Sequence, residues 1–109
     1  LIGEGLGILA LRRLDDAERD GQRVYAVIRG VGASSDGRFG SIYAPRQSGQ
    51  ELALRRAYEE AGVSPGTIGL LEAHGTGTPT GDPTELAALN NVFGEHAEGP
   101  VAIGSVKSQ

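Results

Sequence analysis

His74 lies in the stretch "EAHGTGTPTGDPTE", Glu72 to Glu85, where a histidine is set among three glycines, four threonines, two prolines and three acids, directly after the apolar run "IGLL". Lys107 closes a second apolar run, "VAIGSV". A Gly-rich turn before a helix can hold a phosphate on backbone N–H groups. Here the turn lacks the Gly-Lys-Ser/Thr ending of a P-loop, and Asp82 and Pro83 bring a negative charge and a missing donor to the helix start. "GEGLG" near the beginning has no strand before it and no helix after it, so it is a weak dinucleotide fingerprint. A metal site would need Glu72, His74, Asp82 or His96 to converge, at spacings that match no recurrent ligand pattern. Acid–base or electrophilic chemistry fits better. Glycines beside His74 let a chain-like ligand approach closely, and Thr76 and Thr78, two apart, offer hydroxyls on one side of an extended segment to an amide-bearing substrate arm.

The elements that must position these groups follow from periodicity. "GLGILALRRL", Gly5 to Leu14, and "RVYAVIRGVGAS", from Arg23, read as buried strands, joined by a polar connector with one helical turn ended by Gly21. "SDGRFGSIYAPRQ" reads as a loop. A helix from Ser48 shows a Ser48/Glu51 capping box, Leu54, Ala57, Tyr58 and Ala61 on one face, and Gly62 as its stop. "IGLLEA" is a short strand. A second helix starts at Asp82 with Pro83 in its first turn, Glu85 closing another capping box, and Leu86, Leu89 and Phe93 on one face up to Gly94. "EHAEGP" is a loop carrying a solvated His96, and "VAIGSV" is a last strand. The order predicts an α/β domain with a mixed sheet, its later strands parallel. His74 and Lys107 then leave the C-terminal ends of two strands, the edge at which open α/β sheets bind ligands.

Composition narrows the partners. The 109 residues carry a net charge of −4, so the basic excess a nucleic-acid or anionic-membrane surface requires is missing. No run approaches the roughly 20 apolar residues of a membrane span, and the start resembles no signal peptide. A cytosolic chain cut from something longer is expected. The absence of cysteine excludes disulfides, thiolate metal sites and a cysteine nucleophile within these residues. Eighteen glycines falling singly at element ends predict a turn-rich, closely packed domain.

"EAHGTGTPTGDPTE" resembles the first-histidine motif of β-ketoacyl synthases, the condensing enzymes of fatty acid and polyketide assembly, and "IGSVKSQ" resembles their lysine motif. "GEGLGILALRRLDDAERDGQRVYAVIRG" and "SDGRFGSIYAP" are similar to further segments of the family, so the likeness covers essentially the whole chain; "SSDGRFGSIYAP" with "SVKSQ" is most similar to the polyunsaturated fatty acid synthase type. The resemblance implies a partial thiolase-like fold, the end of a first half and the start of a second, within one β-ketoacyl synthase domain that is dimeric when whole. It implies that His74 donates a hydrogen bond to a thioester oxygen as malonyl decarboxylation makes an enolate. It implies that Thr76 and Thr78 contact the phosphopantetheine arm of an acyl carrier protein. Lys107 becomes the family's lysine, with Glu85 and Asp82 in the polar network that holds it. No metal or redox cofactor is implied, the acyl and malonyl thioesters being carried on the carrier protein. The family's cysteine nucleophile would precede "GEG" and its second histidine would follow "SVKS", so residues 1–109 alone are expected to be inactive. Two other readings stand beside this one. The chain could belong to a non-catalytic partner of the chain-length-factor kind, or to an interaction domain that uses the Gly-rich loop only as a turn. Arg12, Arg13, Arg55 and Arg56 read as surface charges, some facing a carrier's acidic helix.

Overall fold

A computed structural model describes residues 5–38, 44–94, 96 and 99–108. Three helices, α1 (Leu14–Arg19), α2 (Gln47–Ala61) and α3 (Gly81–Phe93), accompany two short strands, β1 (Leu70–Glu72) and β2 (Ala102–Gly104). Single 3₁₀ turns occupy Pro65–Thr67 and Val106–Ser108. The loop readings at 39–43 and at 95, 97 and 98 fall outside the described residues.

α2 ends as its sequence dictates. Gly62 takes φ +61°, and its N–H bonds to the Glu59 carbonyl while that of Val63 bonds to Tyr58, the Schellman pattern that satisfies carbonyls left open at a helix end. At the other end the expected Ser48/Glu51 capping box is absent: Arg46 is the N-cap and makes no side-chain cap bond. Glu51 instead accepts from Gln47 Nε2 and, across to α3, from Asn91 Nδ2, both at 2.8 Å. A tertiary partner has displaced the local one. These two donors favour the charged carboxylate and hold the Glu51 pKa below its ordinary value.

α3 supplies most of the core. Ala88, Val92 and Phe93 are buried, and the Phe93 ring meets Tyr58 of α2 edge-on, with centroids 5.5 Å apart and planes at 83°. Burial raises the Tyr58 phenol pKa. The segment before α2 lies directly on its alanine stripe. A Cβ at Gly30 would sit 2.8 Å from Ala61 N, and one at Gly32 would sit 2.7 Å from Ala57 N. Glycine is needed there for close approach of two backbones. Val31 N–H donates to Glu60 (2.7 Å) and Arg56 donates to the Ala33 carbonyl (2.8 Å), so Arg56 ties the segment down.

β1 and β2 are adjacent and parallel, Leu70 facing Ala102, Leu71 Ile103 and Glu72 Gly104, with α3 as the crossover. Ala73 N–H extends the ladder to the Gly104 carbonyl at 2.7 Å. Among the described residues this pair is the whole sheet, in place of the expected mixed one. Residues 5–13 and 22–37 form no ladder, and Leu6, Ile8 and Leu9 are 90%, 86% and 85% exposed. Apolar alternation gives a segment its preference for a strand, but a strand exists only with a partner's N–H and C=O groups alongside. The expectation of close packing fails with them. The radius of gyration is 16.4 Å, against about 13 Å for a compact domain of this length.

Candidate active site

The polypeptide leaving β1 is held chiefly by two carboxylates from the first two turns of α3. Glu85 accepts from His74 N–H at 2.6 Å with one oxygen and from Gly75 N–H at 3.0 Å with the other. It therefore forms no capping box with its own helix; Thr80 is the N-cap and makes no side-chain cap bond. The loop amides compete better, because two donors converge on one charged acceptor. Asp82, three residues earlier and so on the same helical face, accepts from Gly77 N–H at 3.1 Å and from the Thr76 hydroxyl at 3.3 Å. The turn also requires glycine. Gly75 and Gly77 have φ of +52° and +71°, and a Cβ on Gly75 would come 2.7 Å from the Ser105 side chain.

Lys107 stands on the 3₁₀ turn after β2, and its Nζ donates to the His74 backbone carbonyl at 2.9 Å. Ser105 Oγ approaches the same oxygen at 3.5 Å. His74 is thus gripped through both of its peptide groups, N–H by Glu85 and C=O by Lys107, while its imidazole makes no hydrogen bond among the described residues. The expected network differs in one respect: neither Glu85 nor Asp82 bonds to Lys107. Glu85 reaches it through the His74 backbone, both of its oxygens accepting from loop amides, while Asp82 holds Gly77 and Thr76 through one oxygen.

The imidazole lies along an open cleft of about 930 Å³. Glu72, Thr76, Thr78 and Glu85 form its polar side, and Leu54 and Leu89 from the two long helices belong to its apolar side. Lys107 is not in the lining, so its ammonium acts on the backbone behind His74 rather than in the cleft. Asp82 is likewise behind the loop. Among the described residues, no group of three or more His, Cys, Asp and Glu side chains comes together to hold a metal ion. Nor is any helix of the described residues long and apolar enough to cross a membrane. His96 is exposed on the turn after α3, far in sequence from this loop.

The two threonine hydroxyls form a directed chain. Gly81 N–H donates to Thr78 Oγ1 at 2.9 Å, the two hydroxyl oxygens are 3.0 Å apart, and Thr76 reaches Asp82. A carboxylate can only accept, so Thr76 donates to Asp82 and Thr78 donates to Thr76. Both hydroxyl protons are then spent, and what remains toward the cleft is acceptor capacity. Such a pair suits an amide N–H.

Sequence reasoning considered Glu72 only as a metal ligand. Its carboxylate accepts from Val106 N–H at 2.8 Å, beside the turn that carries Lys107. The available signal was the parallel pairing of the two apolar runs, which sets the acid two residues before His74 against the end of β2.

Residues 25–109 match a family model described as the β-ketoacyl synthase C-terminal domain. The chain is 56% identical over 112 residues to one subunit of the polyunsaturated fatty acid synthase of Thraustochytrium sp., covering 99% of this chain and 4% of that one. It is 51% identical to a mycocerosic acid synthase-like polyketide synthase of Mycolicibacterium smegmatis, over 96% of this chain and 5% of the relative. Among solved structures, the ketosynthase from module 6 of the bacillaene synthase of Bacillus subtilis superposes with a TM-score of 0.82 at 45% identity, across 89% of this chain and 18% of its own. The fold is therefore thiolase-like α/β, and the chain spans a small part of the length of the relatives it matches.

Proposed function

We propose, from the premise that this chain belongs to the β-ketoacyl synthase family, that it forms part of one domain catalysing decarboxylative Claisen condensation of acyl and malonyl thioesters in fatty acid or polyketide biosynthesis. The parent is an acyltransferase-type condensing enzyme. An acyl group passes from its carrier thiol, which is released, to a cysteine elsewhere in the domain; a malonyl thioester loses CO₂, and the resulting enolate attacks the acyl thioester carbonyl, forming the C–C bond and displacing the cysteine thiolate.

The observation that carries this reading is an imidazole on a cleft, without a partner among the described residues, with its own peptide fixed from both sides. Decarboxylation moves negative charge onto the thioester oxygen. A donor already aimed at that position stabilises the enolate without reorganising as the charge develops. His74 is that donor. Glu85 and Lys107 contribute by restricting the backbone from which the imidazole projects, and Asp82 by ordering the next turn. Thr76 and Thr78, as acceptors, receive amide N–H groups of the phosphopantetheine arm that brings the substrate from an acyl carrier protein. The chemistry needs no metal or redox cofactor, and the whole domain acts as a homodimer with neither nucleic acid nor membrane as a partner.

Replacing His74 with Ala in the full-length synthase tests the reading. Condensation should fall on the order of 10²- to 10³-fold, as it does when a single oxyanion donor is removed. An unchanged rate would favour a non-catalytic partner of the chain-length-factor kind.

A further inference from the structure

We propose that Glu72 is a positioning residue for Lys107, and through it for His74; this rests on the catalytic reading of His74 given above. Two cross-links join the exits of the parallel strands. Glu72 Oε1 accepts from Val106 N–H at 2.8 Å, and Lys107 Nζ donates to the His74 carbonyl at 2.9 Å. The partners alternate along the chains: Glu72 and His74 are two apart leaving β1, and Val106 and Lys107 are neighbours leaving β2. Together they close a ring across the end of the sheet.

Glu72 holds the first N–H of the Val106–Ser108 turn. The turn is a three-residue 3₁₀ segment, too short to hold its own geometry by internal hydrogen bonds. Gly104, which precedes it in the ladder, has no side chain to brace it, and the space where a Cβ would stand is empty. The carboxylate of Glu72 fixes the first N–H of the turn, which fixes the direction in which Lys107 leaves it. Glu72 also belongs to the cleft lining with His74, so it acts at the edge of the site and not from a distant scaffold.

The test uses the full-length synthase with E72A, E72Q, K107A, the double variant E72A/K107A and H74A. Removing the acceptor in E72A should lower kcat for condensation about ten- to a hundredfold, the cost of a small misplacement of a catalytic group. KM for the carrier-bound substrates should stay within about twofold, because the Glu72 carboxylate is engaged with Val106 N–H and the threonines that receive the substrate arm stay in place. E72Q keeps an oxygen that accepts from Val106 and should recover most of the loss. The double variant should be no slower than K107A, since both changes break one linkage. If E72A does not yield folded protein, V106P, which deletes the donor and keeps the carboxylate, takes its place and should show the same loss of kcat. Wild-type kcat in E72A, an E72Q protein as slow as E72A, or losses that multiply in the double variant would each overturn the inference. An impaired H74A beside a full-rate E72A sinks this inference alone, whereas a full-rate H74A sinks the reading of the site and this inference with it.

Discussion

At the scale of single residues, the site divides its labour between side chains that face the cleft and side chains that hold the backbone behind it. His74, Thr76 and Thr78 belong to the first kind, Lys107 and Asp82 to the second, and Glu85 to both. The division yields opposite kinetic signatures. On the proposed reading T76V or T78V removes an acceptor that would meet the substrate arm equally in ground and transition states, so KM for the carrier-bound substrate should rise about three- to tenfold with kcat nearly unchanged. Steady-state kinetics with varied carrier protein would decide this, and a fall in kcat at constant KM would contradict it. The histidine, its glycines and the lysine were legible in the sequence because their types and strand-end positions are local facts. The direction of the threonine hydrogen bonds was not, since it depends on which acceptor Asp82 presents after α3 has folded back over the loop.

At the scale of elements, the same competition recurs at both long helices. Ser48 and Glu51, and the acid at 85, satisfy a capping-box pattern, yet neither box forms, because Asn91 in one case and the loop amides in the other offer the carboxylate a better set of donors. α2, α3 and the parallel pair they accompany were readable from periodicity, Gly62 and Pro83, all signals contained within the segment. The first two expected strands were not, since their ladders need partners that no described residue supplies. The bonds that Glu51 accepts from Gln47 and Asn91 predict that the helix pair weakens in acid. The folded pKa of Glu51 is lowered below the ordinary 4.5, so its stabilising contribution is complete above that value and is lost as pH falls through the folded pKa. Far-UV circular dichroism of the chain should show helix loss in that acid range, with a shallower dependence in E51Q; an identical pH profile for the two would show that the carboxylate does not couple the helices. At Gly32, a Val side chain would collide with the α2 backbone. Gly32→Val should therefore accelerate amide hydrogen exchange along Ala53–Ala61, and unchanged protection there would show that the contact does not hold α2.

At the scale of the whole molecule, surface area explains why a site can be ordered while its surroundings stay open. The described fold exposes 8872 Å², whereas a compact monomer of this mass exposes about 5,700 Å². Much of the difference is apolar: Leu11, Tyr25, Ile28, Val31 and Leu70 are all well exposed. A surface of that kind binds hydrophobic dyes and associates. The 109-residue chain alone should bind such a dye strongly and, having no cysteine, should form no ketoacyl product. A measurable condensation rate from these residues by themselves would overturn the view that they contribute only part of a catalytic unit. The most direct measurement of the central claim separates the two half-reactions in full-length H74A synthase: acyl loading of the nucleophile, and release of labelled CO₂ from a malonyl thioester. Release of CO₂ should collapse while acyl loading continues at close to the wild-type rate. Continued CO₂ release from a protein without the imidazole would contradict the role assigned to His74.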